Sequence, residues 1–231
     1  GYTGDVARCC GARPRRSKST QRQIICILKG NRLNRENQQT EQSPPGWVQW
    51  LIGIGGLRLA FMWGFMEASV FFLVPDIVIS ITALFGFRPA LKQVGLAIVG
   101  TLLAGIPLFL WAQQDAPSAR QMVLHVPFVR ASMVEDVRAN LVENGASALL
   151  HAATSGIPYK LFAVEAPEHI SLTVFTLMTV PSRLKRLLIT IAFFGGIGWF
   201  LRKQIGTHPR TALGLHLLFW VGSYSYYWSI I

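Results

Sequence analysis

The sequence has few charged residues, and acidic residues are the scarcer kind. Only 14% of its 231 residues are charged, with 11 Asp and Glu against 22 Lys and Arg, while 51% are hydrophobic. An ordinary soluble domain carries about a quarter charged residues, so the composition excludes that class. The sequence therefore predicts an integral membrane protein.

The sequence patterns of conventional enzymes and metal sites are also missing. The chain contains no Gly-rich phosphate-binding loop, no Ser/His/Asp arrangement and no HExxH-like cluster. Its three cysteines, Cys9, Cys10 and Cys26, form no CxxC pair, so a disulfide framework or a structural zinc site has little support. We therefore expect no enzyme activity and no metal.

Residues 1–46 form a basic segment ahead of the first apolar one. They hold nine Lys and Arg against three acidic residues, a net charge of +6. Such a flank resists translocation, which predicts a disordered cytoplasmic tail, and it also attracts anionic lipid head groups. Nucleic-acid binding is disfavoured because Tyr2 is the one aromatic residue of the tail. The Arg- and Ser-rich, acid-poor composition also fits an organelle transit peptide, and the sequence leaves this open.

The stretch from Phe61 to Phe87 is apolar but contains Glu67, Pro75 and Asp76. A carboxylate is costly inside a bilayer, and proline cannot donate a backbone hydrogen bond. Irregular backbone at membrane depth is tolerated where protein buries it or where it lines a watery cavity. We expect two half-helices with a polar site at their break. The alternative is one kinked transmembrane helix with its acids near opposite interfaces.

A second stretch, Asn144 to Val180, has the same character. Its apolar run is interrupted at Gly156 and Pro158 and again near Glu165. Two proline-broken apolar segments in comparable positions indicate an inverted repeat with a site at its interface. The predicted fold is an all-α integral membrane protein, a polytopic bundle with two proline-broken re-entrant hairpins plus transmembrane helices.

The remaining segments complete this prediction. We expect an interfacial helix, a clear span, an amphipathic connector, a Gly-rich span and a final span with an aromatic end: Trp47–Leu57, Gln93–Gln114, Asp115–Glu143, Leu187–Leu201 and Thr211–Ile231. If both broken stretches return to the face that they entered, Arg88 and Lys92 stay inside with the tail and the connector lies outside. If both cross fully, these two loops exchange sides.

Three separated motifs suggest a family. FMEASVFFLVPD (Phe65 to Asp76), SGIPYKLF (Ser155 to Phe162) and SRLKRLL (Ser182 to Leu188) occur in this order. Together they resemble the DedA/VTT (SNARE-associated Golgi-type) membrane-protein superfamily, especially its YqaA-like bacterial branch. The resemblance covers about residues 60–203 and implies a bacterial inner-membrane protein with a membrane domain over residues 47–203. Residues 204–231 lie outside the resemblance, and we expect an additional C-terminal transmembrane helix there.

The resemblance also implies a site. Glu67 and Asp76 match the acidic positions of the first motif, Lys160 the basic position of the second, and Arg183 and Arg186 the arginines of the third. Carboxylates exchange protons, and Arg holds phosphate with two hydrogen bonds, which fits a proton-coupled site for anionic lipid. The alternative is that these residues form ion pairs that only hold the bundle together.

Two functions follow as hypotheses. The first is a DedA/VTT-like protein that binds or translocates anionic lipid. The second is a non-transporting accessory subunit of a larger membrane complex, favoured by the departure from the family pattern at Glu165–Pro167 and by the extra helix. For such a complex, His216 is a candidate ligand for a chlorophyll-type pigment or haem. A hydrogen bond between helices is the favoured role of His216.

Overall fold

The computed structural model describes residues 45–69, 76–127 and 129–230 of the chain. All regular elements in these residues are helical, which confirms the all-α prediction. Most of the basic tail and the break residue Pro75 lie outside the described residues. In chain order the α-helices are α1 Gly46–Ile52, α2 Ile54–Ser69, α3 Asp76–Phe85, α4 Phe87–Gln114, α5 Ala116–Leu124, α6 Ala131–Asn144, α7 Ala148–Ser155, α8 Tyr159–Glu165, α9 Leu172–Phe200, α10 Arg202–Thr207 and α11 Pro209–Ile230.

One described helix, α4, is long and apolar enough to cross a membrane. The helices α1 and α2, bent by 66° at Gly53, would make a second span if they were taken together. The same measure does not single out α9 or α11. The helix α9 carries Arg183, Lys185 and Arg186 near its middle, and α11 is rich in serine and tyrosine. A membrane association therefore rests most directly on α4.

The helices α2 and α4 run in the same direction. Gln93 lies beside Gly56 near the start of α2, and the Thr101 hydroxyl, two turns further along α4, donates to the Gly64 carbonyl (3.4 Å). Since α4 follows α3 directly, the chain must return through α3 between them. The helices α2 and α3 therefore form a hairpin, the first hairpin, whose two outer ends lie at one end of the molecule.

Small residues bring α2 and α4 into direct contact. A Cβ atom on Gly64 would overlap the Ala97 carbonyl, and one on Gly100 would overlap the Phe61 carbonyl. Such close backbone approach is how helices pack where lipid removes the hydrophobic drive to associate. The contact fixes the first hairpin against α4, the helix that is long and apolar enough to cross a membrane.

The connector predicted between the spans folds as two amphipathic helices, α5 and α6. Asp115 caps α5 by accepting a hydrogen bond from the Ser118 amide (3.1 Å), and Ser118 lowers the pKa of the Asp115 carboxyl. Val123, Val137 and Leu141 point into the core, while charged residues face outward. This pattern confirms the amphipathic prediction for Asp115–Glu143.

The helices α7 and α8 form a second hairpin. The break falls at Gly156, which adopts φ +77° at the end of α7, and at Pro158, which precedes α8. Only glycine enters that region without strain, so both predicted break residues have a clear geometric role. Glu165 at the end of α8 contacts the connector again, and the second hairpin thus returns to the end from which it left.

The helix α9 runs antiparallel to α4. Phe175 near its start packs on Phe109 near the end of α4 (4.9 Å between rings), and Gly195 near its end lies beside Phe87 at the start of α4. The predicted limits were wrong here, because α9 starts at Leu172 and passes through Pro181. The residues Leu172–Val180, assigned to the second broken stretch, therefore belong to α9.

The C-terminal helix α11 packs back along α9 and α3. His216 lies 5.1 Å from the ring of Phe194, and its Nε2 lies 2.7 Å from the Ser80 hydroxyl in the middle of α3. The short α10 makes the turn between α9 and α11. The segment predicted as an additional C-terminal transmembrane helix is thus helical over Pro209–Ile230 and contacts the first hairpin.

Candidate functional site

The five charged residues singled out from the sequence lie together, and we call them the charge cluster: Glu67, Asp76, Lys160, Arg183 and Arg186. The end of α2, the start of α3 and the start of α8 meet beside α9 at this point. The acids come from the first hairpin, the lysine from the second and the arginines from α9. These residues are far apart in the sequence and become neighbours only in the folded chain.

Glu67 and Arg183 form the most enclosed pair of the cluster. The Arg183 guanidinium donates to Glu67 Oε1 (3.1 Å) and lies 2.9 Å from Oε2. Both side chains are less than a tenth exposed. Arg183 Nε is buried and has no hydrogen-bond partner among the described residues. One donor of a buried guanidinium thus remains available to an additional acceptor.

Asp76 is the second carboxylate, at the first residue of α3. Arg186 donates to Asp76 Oδ2, and the Thr190 hydroxyl, one turn further along α9, donates to Oδ1 (2.7 Å). The Asp76 side chain is 3% exposed and that of Arg186 is 23% exposed. The position of Asp76 at a helix N-terminus also favours its negative charge.

Lys160 and Tyr159 enter from the start of α8. Lys160 is buried, and it is close enough to Glu67 and Arg183 to interact electrostatically with both. The Arg183 guanidinium stacks over the Tyr159 ring at 4.4 Å, and the Tyr159 hydroxyl shares a hydrogen bond with Thr179 (2.9 Å). Tyr159 was not predicted as a site residue, although its place next to Lys160 after the glycine-proline break was a usable signal.

The cluster carries more positive than negative charge. Three cations face two carboxylates, so the formal sum is one positive charge. A net charge is costly away from water, and an anionic group bound there would offset it. The arrangement can therefore accept one further anion, with arginine and lysine donors suited to phosphate.

A separate ion cluster closes the second hairpin. The Glu165 carboxylate, which is fully buried, accepts hydrogen bonds from Arg120 (2.6 and 3.0 Å) and from Arg138 (2.8 Å). The hydrogen bond from Arg120 to Glu165 raises the pKa of Arg120. The pairing gives Glu165 a structural role, which the sequence did not predict because Arg120 and Arg138 lie far from it along the chain.

His216 takes part in a network of hydrogen bonds between helices. Its Nε2 lies 2.7 Å from the Ser80 hydroxyl, and the Trp220 indole N–H lies 3.1 Å from both the Ser80 hydroxyl and the same imidazole nitrogen. A pigment or haem metal at Nε2 would have to displace these bonds. The geometry matches the favoured role of a hydrogen bond between helices. In the described part of the chain, no group of three or more His, Cys, Asp or Glu residues could hold a metal ion.

Comparisons with protein-family models, with curated proteins and with solved structures return no match for this chain.

Proposed function

We propose that this chain is a polytopic membrane protein that binds and translocates an anionic lipid head group at the charge cluster. The observation that carries the proposal is the meeting of three cations and two carboxylates at the two hairpins, where all but the partly buried Arg186 are buried. Ionisable residues buried in an apolar region are a functional-site hypothesis by default. An inner-membrane location with a cytoplasmic N-terminus is part of the proposal.

The arrangement of the hairpins supports this function. The first hairpin precedes α4 and the second precedes α9, and α4 and α9 are antiparallel. Two such halves of opposite direction with a charged site between them are typical of transporters built from inverted repeats. We infer that both hairpins are re-entrant and that each opens toward a different face of the membrane.

The surface of the long helices supports a lipid environment. Apolar side chains on α4 and α9 face outward: Val99, Leu103, Leu110, Leu177 and Ile189. Extended exposed apolar surface is unfavourable in water but ordinary against acyl chains. Lipid would then surround the region that encloses the charge cluster.

Protonation of the carboxylates gives the proposed mechanism. When Asp76 or Glu67 is protonated, its arginine is freed to bind a phosphate. When the carboxylate loses its proton, it competes for that arginine and releases the lipid. Proton movement and lipid movement are coupled because both ligands use the same guanidinium groups.

Lipid translocation in proteoliposomes tests the function. The parent, Glu67→Gln and Asp76→Asn are reconstituted with a fluorescent anionic phospholipid, and the rates are normalised to folded protein. We expect the parent to move the lipid, a proton gradient to change its rate, and both variants to lose most activity. Glu165→Gln removes a buried carboxylate outside the cluster and serves as the matched control. Equal rates for all four proteins would refute the proposal.

A scaffold role in a larger assembly is the second candidate. The observation that favours it is the outer surface of the end of α9 and of α11, where large apolar side chains are uncovered: Trp199, Phe200, Leu215, Leu217, Leu218, Val221 and Tyr226. Purification in mild detergent separates the two functions. A stoichiometric partner together with no lipid movement would favour the scaffold.

A further inference from the structure

An apolar cavity lies apart from the charge cluster, between α9, α10 and α11. Its volume is about 520 Å³, and Phe193, Phe194, Leu215 and Phe219 supply much of its wall. Cavities of roughly 300 to 1,000 Å³ with mostly apolar walls and a few polar groups are typical of small-molecule sites. The size and chemistry of this cavity fit an apolar chain.

The inner wall of the cavity is held in place by hydrogen bonds. His216 lines the cavity and is 5% exposed, and it is tied to Ser80 and Trp220. Trp220 also stacks on Phe194 (6.2 Å between rings). Because these contacts join three helices, the cavity is preformed and does not require a ligand to open it.

The mouth of the cavity is polar and positively charged. Gln204, His208 and Thr211 are exposed polar residues of the lining, and all three lie on or beside α10, so the α10 end of the cavity, which we call its mouth, is polar. The exposed cations Arg202, Lys203 and Arg210 flank these residues along the chain: the sequence has no Asp or Glu after Glu168. An amphiphile with an anionic head and an apolar tail is complementary to this combination.

We infer that this cavity binds one acyl chain of an anionic phospholipid, whose head group lies at the mouth. The site is distinct from the charge cluster and does not depend on the proposed translocation. The occupied cavity would attach α11 to α9 through the lipid. Lipid bound there would therefore stabilise the C-terminal part of the protein against separation from the rest.

Photo-crosslinking of the purified full chain tests the inference. The probes are phosphatidylglycerol and phosphatidylcholine that carry the same diazirine in one acyl chain. We expect the anionic probe to label enclosed residues of the cavity wall such as Phe194 and Ile197, and unlabelled phosphatidylglycerol to compete. Even labelling of outward apolar residues such as Leu103 and Leu177, with no head-group preference, would mean surrounding lipid only and would overturn the inference.

Two pairs of variants sharpen the test. Ala212→Phe fills the cavity and should abolish wall labelling, whereas Ala192→Phe places the same ring on an exposed position of α9 and should not.

The double variant Arg202→Gln, Lys203→Gln should weaken competition by the anionic lipid about five-fold for each cation removed. Arg88→Gln, Lys92→Gln removes the same charge from α4 and should leave competition unchanged. These exposed substitutions keep the test decisive if Ala212→Phe does not fold, since equal competition by both double variants contradicts the inference.

Discussion

The Arg183 guanidinium lies 2.9 Å from the Glu67 carboxylate, and both side chains are more than nine-tenths buried. This pair joins the first hairpin to α9 across more than a hundred residues of sequence. Asp76, at the start of α3, and Arg186, about one turn after Arg183, form a second ion pair between the first hairpin and α9. The two ion pairs hold the end of α2 and the start of α3 against α9. They also form the charged surroundings of Lys160, which comes from the second hairpin.

Removing one partner of the first pair should destabilise the protein. Glu67→Gln leaves Arg183 buried without its counter-charge, and the loss of one member of a buried pair costs about 3 kcal/mol. We expect a clearly lower melting temperature in detergent, measured by intrinsic fluorescence. The double variant Glu67→Leu, Arg183→Leu should be more stable than Glu67→Gln, because it removes the buried guanidinium that Glu67→Gln leaves without its counter-charge.

The control for this prediction is Glu143→Gln, an exposed carboxylate at the end of α6. It should leave the melting temperature unchanged, because exposed charges contribute little. If Glu67→Gln and Glu143→Gln have the same melting temperature, the Glu67–Arg183 pair does not stabilise the fold. A double variant less stable than Glu67→Gln would show that Arg183 stabilises by itself.

Glu165 should hold the connector against the second hairpin. Glu165→Gln weakens the bonds to Arg120 and Arg138, whose side chains are 23% and 33% exposed, so we expect a loss on the order of 2 kcal/mol. Hydrogen exchange should quicken in α5 and α6 and change little in α2. Glu168→Gln is the matched control, because Glu168 is half exposed and 3.7 Å from Arg120. Equal exchange in the two variants would contradict the structural role of Glu165.

Replacing two glycines of α4 with alanine should change the stability of the protein in opposite directions. In Gly100→Ala the new methyl group would overlap the Phe61 carbonyl, and such overpacking costs about 2 kcal/mol. In Gly95→Ala the methyl group meets nothing within 4 Å, and alanine favours a helix over glycine by about 1 kcal/mol. Thermal melting of the two variants measures the difference. Two variants of equal stability would argue against close contact between α2 and α4.

The sequence predicted the features that depend on local chemistry. A proline and a glycine in an apolar run indicated the break at Gly156 and Pro158, because the two residues restrict the backbone in known ways. A carboxylate in an apolar stretch needs a partner, which made Glu67 and Asp76 candidates for pairing with Arg183 and Arg186. The structure places these residues together.

Features set by distant contacts could not be predicted in the same way. Arg183 and Arg186 looked like the flank of a span that starts at Leu187, but they lie inside α9 because the first hairpin neutralises them. Pro181 lies inside α9 at an exposed position, where a long helix tolerates the loss of one hydrogen bond. The partners of Glu165 lie 27 and 45 residues away, so no local pattern marked them.

Cysteine accessibility in intact cells tests most directly whether the hairpins return to opposite faces. Lys92→Cys and Ser118→Cys each place one thiol at an exposed position near opposite ends of the α4 region, in a chain that lacks Cys9, Cys10 and Cys26. The re-entrant arrangement predicts that a membrane-impermeant maleimide labels the cysteine at 118 and reaches the cysteine at 92 only after the cells are opened. Labelling of position 92 but not of position 118 in intact cells would contradict it, and so would identical labelling of both positions.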